Sequence, residues 1–511
     1  MRRFRLPGAV LAVLAVVYVI AWQTQPGSSR PPARATAPQT VAVTSVTRSC
    51  PPPAPGTGAT RIAMIAVPSR SQPAGARAGG PAAGSATLSA VPAALTASQQ
   101  ASGAGRPSAP ARPATAARTA ASGARPVTVS APGALTDITA PGAAGLGGTA
   151  VAADGQMAQG FEAEQADASG TGLVSCTHPG SDMWFVGTGE AAGASQIRLY
   201  LMNTGDLAAS ADVTILTDAG LQPGPDSGIT VAPHELVVED IAPFVRGSAA
   251  LALHVQTSSG QVAASVWEGG GSGGAWLPQA GDPSTRLVIP GLTVAGSAAR
   301  LFVAVPGAAD ARLNVVAFTA AGAFPQFGSA PVDAPAGAST SFTLSSLGAS
   351  AAGLTLSSSV PVIAGVLVPG AGIGSFTTAA APVTEQGVIA GNPASRGVTV
   401  GLVLTAPGAA ARASIAVVGA GGPGAAGAQQ VETVPAGHTL AVTVPRPRGS
   451  SRPFAIVITP LAGSGPLYAA RVVTTGAGGL SAPVTSLLPV PSALTRITLP
   501  PARDTYSAIL P

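Results

Sequence analysis

Hydrophobic and polar positions alternate in short runs along most of this chain, and the runs recur. Residues 197–205, 299–307 and 399–408 each alternate and end in a glycine turn. A second alternating run follows each of them, at 212–216, 314–318 and 414–418. Then comes a proline-marked turn, at Ala232 and Pro233, Ala334 and Pro335, and Val434 and Pro435. Residues 261–267, 361–367 and 466–472 give the last clear run of each unit. A period of two residues reads as β-strand, because successive side chains point to opposite faces. The whole pattern repeats about every 100 residues. A more divergent copy precedes these three: residues 61–67 supply its first strand, 127–132 resemble 229–233, and 155–161 resemble 260–266. Six or seven short strands per unit, with Gly/Pro turns and no helical period, predict an all-β protein. It would be built of tandem β-sandwich repeats of the immunoglobulin or fibronectin kind. Propeller blades repeat every ~40–50 residues and do not fit the period.

The amino terminus breaks the pattern. Arg2, Arg3 and Arg5 precede residues 6–22, a run without charge that ends in Tyr18 and Trp22. Such a run is long enough for a short transmembrane helix, with the arginines held on the cytoplasmic side. It predicts a signal anchor at 6–22, residues 1–5 in the cytoplasm and everything after residue 22 outside. Cleavage near Ala35, Thr36 and Ala37 is the alternative. These small residues lie well downstream of the apolar run, and Pro38 follows them.

Charge sharpens the division. All 26 basic residues are arginine. Thirteen of them lie in residues 1–125, which contain no acid, and the other 13 share the remainder with all 21 acidic residues. Residues 23–125 hold no Phe, Tyr or Trp, so the basic arm lacks the aromatics of a nucleic-acid module. With 65 Gly and 49 Pro in 511 residues and only 9% charged residues, the composition argues against an enzyme that works through a metal or nucleotide. Residues 23–40 read as a linker. The sandwich units are expected at 41–175, 176–290, 291–391 and 392–511, the first carrying a low-complexity insertion at 71–125 that has little means of offsetting its ordering entropy.

Several short motifs coincide. Thr47, Arg48, Ser49, Cys50 and Pro51 open the first unit, Ser175 and Cys176 close it, and Trp184, Phe185, Val186 and Gly187 form a strand soon after. With the repeated strands and the single apolar span, this resembles a family of actinobacterial envelope proteins of unknown function, domain of unknown function 5719. The resemblance implies the same topology and carries no activity. Cys50 and Cys176 are the only cysteines. Outside the cell they suggest one disulfide closing the first unit. The bridge requires the two ends of that unit to meet, since bonded Cα atoms lie within ~7 Å. Equivalent repeat positions in a straight array lie farther apart, which leaves two free thiols as the alternative.

Other constellations weaken on inspection. Residues 413–424 satisfy strand plus GxGxxG, but Pro435 and Gly437 leave no room for the helix a dinucleotide site needs. Residues 270–274 satisfy GxSxG without the strand-to-helix turn of a nucleophile elbow. His178, His234, His254 and His438 show no metal-ligand spacing, so no metal or other cofactor is expected. Glu235, Glu239 and Asp240 form an acidic cluster that reads as a solvated strand edge rather than an acid/base pair. Arg446, Arg448 and Arg452, spaced by prolines, form a basic loop able to contact an anionic polymer. The expectation is a non-enzymatic, membrane-anchored cell-envelope protein that presents sandwich binding modules to an envelope protein or cell-wall glycan, with no nucleic-acid partner. The alternative is an accessory subunit of envelope glycan assembly that docks through its basic Pro/Ala-rich arm.

Overall fold

The computed structural model describes residues 39–68, 84–94, 126–140 and 147–499, apart from positions 226, 272, 294–298, 329, 345–346, 348–350, 371, 421–425 and 448. The apolar run 6–22 lies outside the described residues. Among those described, no helix is long and apolar enough to cross a membrane. The chain is all-β and falls into two compact units. In one, Gln39–Ala42 and Arg496–Leu499 form an antiparallel ribbon with Gln39 opposite Leu499. Thus the end of the expected linker is strand, and the last strand pairs away from the fourth repeat. The other unit, Val43–Thr495, holds the four repeats.

Each repeat has the same two antiparallel sheets, with strands numbered by their order within the repeat. One sheet runs first, sixth, third, fourth; the other runs fifth, second, seventh, eighth. In the second sandwich the first sheet comprises Asp182–Thr188, Ala250–Ser259 and Ala209–Thr217, with the fourth position divided between Gly220–Gln222 and Ile229–Val231. Its partner sheet comprises Glu235–Asp240, Gln196–Asn203, Ala263–Gly270 and Gly273–Leu277. In the third sandwich the sixth and seventh strands are one continuous strand, Ala351–Val368. Its first half pairs in one sheet and its second half in the other. Pro361 sits near the changeover, where it has no ladder donor to lose.

This order corrects the immunoglobulin reading. An immunoglobulin constant domain also pairs its second strand with its fifth and its third with its sixth. Here the outer strands are exchanged: the first lies beside the sixth and the seventh beside the second. Alternation reports which residues face a core, but it does not report which strand lies alongside which. The repeat limits shift as well. The third sandwich opens with Ser284–Thr293 and the fourth with Gly387–Asn392, one strand ahead of the expected limits at 291 and 392.

The expected insertion 71–125 also needs correction. Ala86–Val91 is an inner strand of the first sandwich, paired with Gly148–Asp154 on one side and Val127–Val129 on the other. Ala86, Leu88 and Val91 are buried there. Small residues hide this strand among others of the same composition.

The four sandwiches form a closed circuit. Val91 and Ala150 of the first pack with Tyr200, Met202, Leu236 and Trp267 of the second. Phe302, Ala304, Ile363, Leu367 and Phe376 of the third join the core of the second. Val403, Ala470, Val472, Val484 and Leu487 of the fourth join the core of the third. Finally Ala63, Ile65 and Leu135 of the first pack with Val388, Ala390, Ala455, Val457 and Ala493 of the fourth. A straight tandem series would leave its first and last members apart.

Candidate functional site

The circuit brings one strand from every sandwich to a common place. The eighth strand is the free edge of its sheet in each repeat: Leu173–Ser175, Gly273–Leu277, Ser375–Thr378 and Val484–Pro489. All four contribute to the lining of one cavity of about 570 Å³. That size lies within the ~300–1,000 Å³ of ordinary small-molecule sites. The first sandwich adds the loop with Thr57 and Thr60 and the side chains Gln165 and Asp167; the second adds Gln196, Trp267 and Trp276.

The second sandwich supplies the aromatic wall. Trp267 and Trp276 stand directly opposite each other across the hairpin of the seventh and eighth strands. Gly269 and Gly274 flank them because no larger residue fits: a Cβ on Gly274 would lie 2.2 Å from Trp267 Cζ2, and one on Gly269 would lie 2.1 Å from Cη2. Tyr200 packs against Trp276 with ring centroids 5.5 Å apart. This hairpin is the place of the GxSxG coincidence. A strand follows its glycines, and Ser272 lies outside the described residues.

The lining is nearly neutral. Asp167 is its one ionisable carboxylate among the described residues, and its Oδ1 already accepts from Ser169 Oγ at 2.6 Å and Gly172 N at 3.2 Å. Several neutral groups are unspent. The Thr60 Oγ1 is buried with no partner among the described residues. The hydroxyls of Ser375 and Ser486, the Gln196 amide and both indole N–H groups have no protein partner among the described residues.

Charged side chains are buried elsewhere. Glu164, in the seventh strand of the first sandwich, accepts from Arg471 Nη1 of the fourth at 2.6 Å and from Gly391 N at 2.9 Å. Arg471 is 1% exposed, and its Nε and Nη2 have no partner among the described residues. The Gln386 amide donates to the Val67 carbonyl at 2.6 Å across the same seam. Glu268, in the second sandwich, accepts from Thr188 N at 3.0 Å and Thr188 Oγ1 at 2.6 Å, with no cation beside it among the described residues. Burial pushes its carboxyl up to about 8 despite these bonds. Glu162 is raised by burial too, opposed by its ion pair with Arg48 at 2.9 Å.

Cys50, ending the first strand of the first sandwich, is bonded to Cys176, just after its eighth, with Cα atoms 4.3 Å apart. The two ends of the first sandwich therefore meet. Of the basic loop, two arginines lie among the described residues. Arg446 reaches 3.5 Å from the Ala394 carbonyl, the Arg452 backbone N–H donates to Ser450 Oγ, and Arg448 lies outside the described residues. Glu235 and Asp240 cap local turns by accepting from Ala232 N and Ala242 N. His234 pairs with Asp206 and His254 with Asp182, while His438 contacts the Ala436 carbonyl. Among the described residues no group of three or more His, Cys, Asp or Glu is placed to hold a metal. After the strand Ala411–Val418 the glycine run leads into another strand, Ala426–Val434.

The sequence reading missed the cavity because its wall is assembled from four repeats. A signal was present in the two tryptophans that bracket a glycine run, and in the charges set within the buried strands FEAEQA and YAARVVTT. No curated protein and no solved structure matches this chain. Residues 127–445, well over half of its length, match the Family of unknown function (DUF5719), and the chain belongs to that family.

Proposed function

We propose that this protein is a non-catalytic, membrane-anchored component of the cell envelope that binds a ligand in the cavity where its four sandwiches meet. The observation that carries the reading is that lining: every repeat gives its eighth strand to one small-molecule-sized space. Acid/base or nucleophilic chemistry needs a second titratable group or an activated nucleophile beside the first. Among the described residues Asp167 has no such partner in the lining and is held in its own turn. The anchor rests on Arg2, Arg3, Arg5 and the uncharged run that follows them. An extracytoplasmic place suits the Cys50–Cys176 bond, since disulfides persist in oxidising surroundings.

Co-sedimentation of the full-length protein, purified in detergent, with isolated cell-wall sacculi tests the reading. Gln196 is exposed at the rim, so Gln196→Trp obstructs the cavity without touching a core. The wild type should be retained at low and high salt, and the variant released. Equal retention of both proteins would overturn the cavity as the site. Retention abolished by salt in both would return the search to Arg446, Arg448 and Arg452.

A further inference from the structure

We propose that the cavity recognises a neutral saccharide, an inference that rests on the binding reading above and specifies its ligand. The first ground is charge. Among the described residues no basic side chain lines the cavity, and the single carboxylate there is engaged by Ser169 and Gly172. An anionic ligand would lose hydration on entry and find no counter-charge, which is costly in a confined space.

The second ground is the surplus of neutral hydrogen-bonding groups. The Thr60 hydroxyl is buried and has no partner among the described residues. Ser375 and Ser486, each 5% exposed, keep their hydroxyls free of protein partners among the described residues. Gln196 and the two indoles add an acceptor and further donors. These come from all four sandwiches, so they surround the space rather than mark one side of it. A purely apolar ligand would cover them without bonding, leaving buried polar groups unsatisfied, which is costly. A compound rimmed with hydroxyls, each both donor and acceptor, matches them.

The third ground is the aromatic wall. A pyranose or furanose ring carries C–H bonds on its faces and hydroxyls around its edge. Trp offers the complementary combination of a large apolar surface and a polar N–H. Gly270, Gly273 and Gly274 line the cavity beside Trp267 and Trp276 and add no side chain of their own, and the Trp267 indole lies over Gly274.

The experiment is a calorimetric and indole-fluorescence titration of the full-length protein in detergent. The probes are short neutral oligosaccharides of glucose, mannose, galactose and arabinose, with an oligogalacturonate as the charged counterpart. At least one neutral series should bind and shift the indole emission. Trp276→Ala should weaken that binding about tenfold or more, roughly 1.4 kcal/mol, and Trp276→Phe should restore part of it. Thr60→Val gives an independent reading should the tryptophan variant misfold. Binding of the oligogalacturonate alone, or neutral binding unaffected by both Trp276→Ala and Thr60→Val, would overturn the inference. If no oligosaccharide binds while sacculus retention still depends on an open cavity, the ligand class is wrong and the cavity reading stands. If retention ignores Gln196→Trp, both fall.

Discussion

Two buried glutamates, each in the seventh strand of its sandwich, are treated in opposite ways. Glu164 meets a cation from another sandwich: Arg471 lies 307 residues away in sequence and 2.6 Å away in space. Glu268 stays within its own sandwich and, among the described residues, finds only the neutral donors of Thr188. The first is a charge spent on joining two parts of the chain. The second is an acid held neutral inside one part. The contrast extends to the seams. Where the third and fourth sandwiches meet, consecutive in sequence, apolar side chains merge into one core, and Gly291 lets the chains approach so closely that a Cβ there would lie 2.2 Å from that of Ala470. Where the first meets the fourth, apolar contact is supplemented by the ion pair and by the amide of Gln386. Apolar faces attract without fixing a register. A hydrogen-bonded ion pair is satisfied in one arrangement only, at a desolvation cost that commonly cancels its contribution to stability. We therefore read Glu164–Arg471 as the group that specifies closure of the circuit.

The largest expected effect breaks that pair on one side. Arg471→Met strands the Glu164 carboxylate and should cost about 3–5 kcal/mol in urea denaturation. Adding Glu164→Leu should restore most of the loss, because both charges are then gone. If the double variant stays as unstable as the single one, the pair stabilises rather than specifies. Glu268 gives a smaller effect that appears as pH dependence. Its carboxyl is raised from 4.5 to about 8, so between those values the folded chain holds a proton that the unfolded chain has released. Its favourable contribution is complete below the unfolded value and is lost as pH climbs through about 8. Melting temperature should therefore decline from pH 5 to pH 8, with a slope of at most about 1.4 kcal/mol per pH unit from this group. Glu268→Gln should remove that part of the slope and leave the variant more stable than wild type at pH 9. An unchanged slope would place the titration elsewhere.

Strands of mixed pattern were legible from the chain, as in Ala311–Thr319, where buried and exposed residues alternate from Ala311 to Val315. So was the correspondence between repeats, because like strands carry like patterns. Pairing order was not legible. The exchange of first and seventh strands depends on which edges meet, and a period of two residues is the same on either side of a sheet. Ala86–Val91 was hidden by composition, since alanine and serine bury or expose with little cost. The cavity escaped for a geometric reason: Thr60, Trp276, Ser375 and Ser486 lie far apart in the sequence, the last three on the eighth strands of different repeats, and converge only when the circuit closes. The buried charges were a further clue, since Glu164 shares a buried strand with Glu162, Arg471 interrupts a largely apolar one, and each needs a partner to be there at all.

Closure of the first sandwich on the fourth is the claim on which the cavity depends, and it can be tested by covalent trapping. A Cβ placed on Gly391 would lie 3.4 Å from the Cβ of Ala63, close to the ~3.5–4.5 Å of a disulfide. The double variant Ala63→Cys, Gly391→Cys, oxidised in the full-length protein and mapped by peptide mass spectrometry without reduction, should contain the 63–391 bond alongside the native 50–176 bond. Persistent free thiols at 63 and 391, in a protein whose 50–176 bond is intact, would contradict the closed circuit.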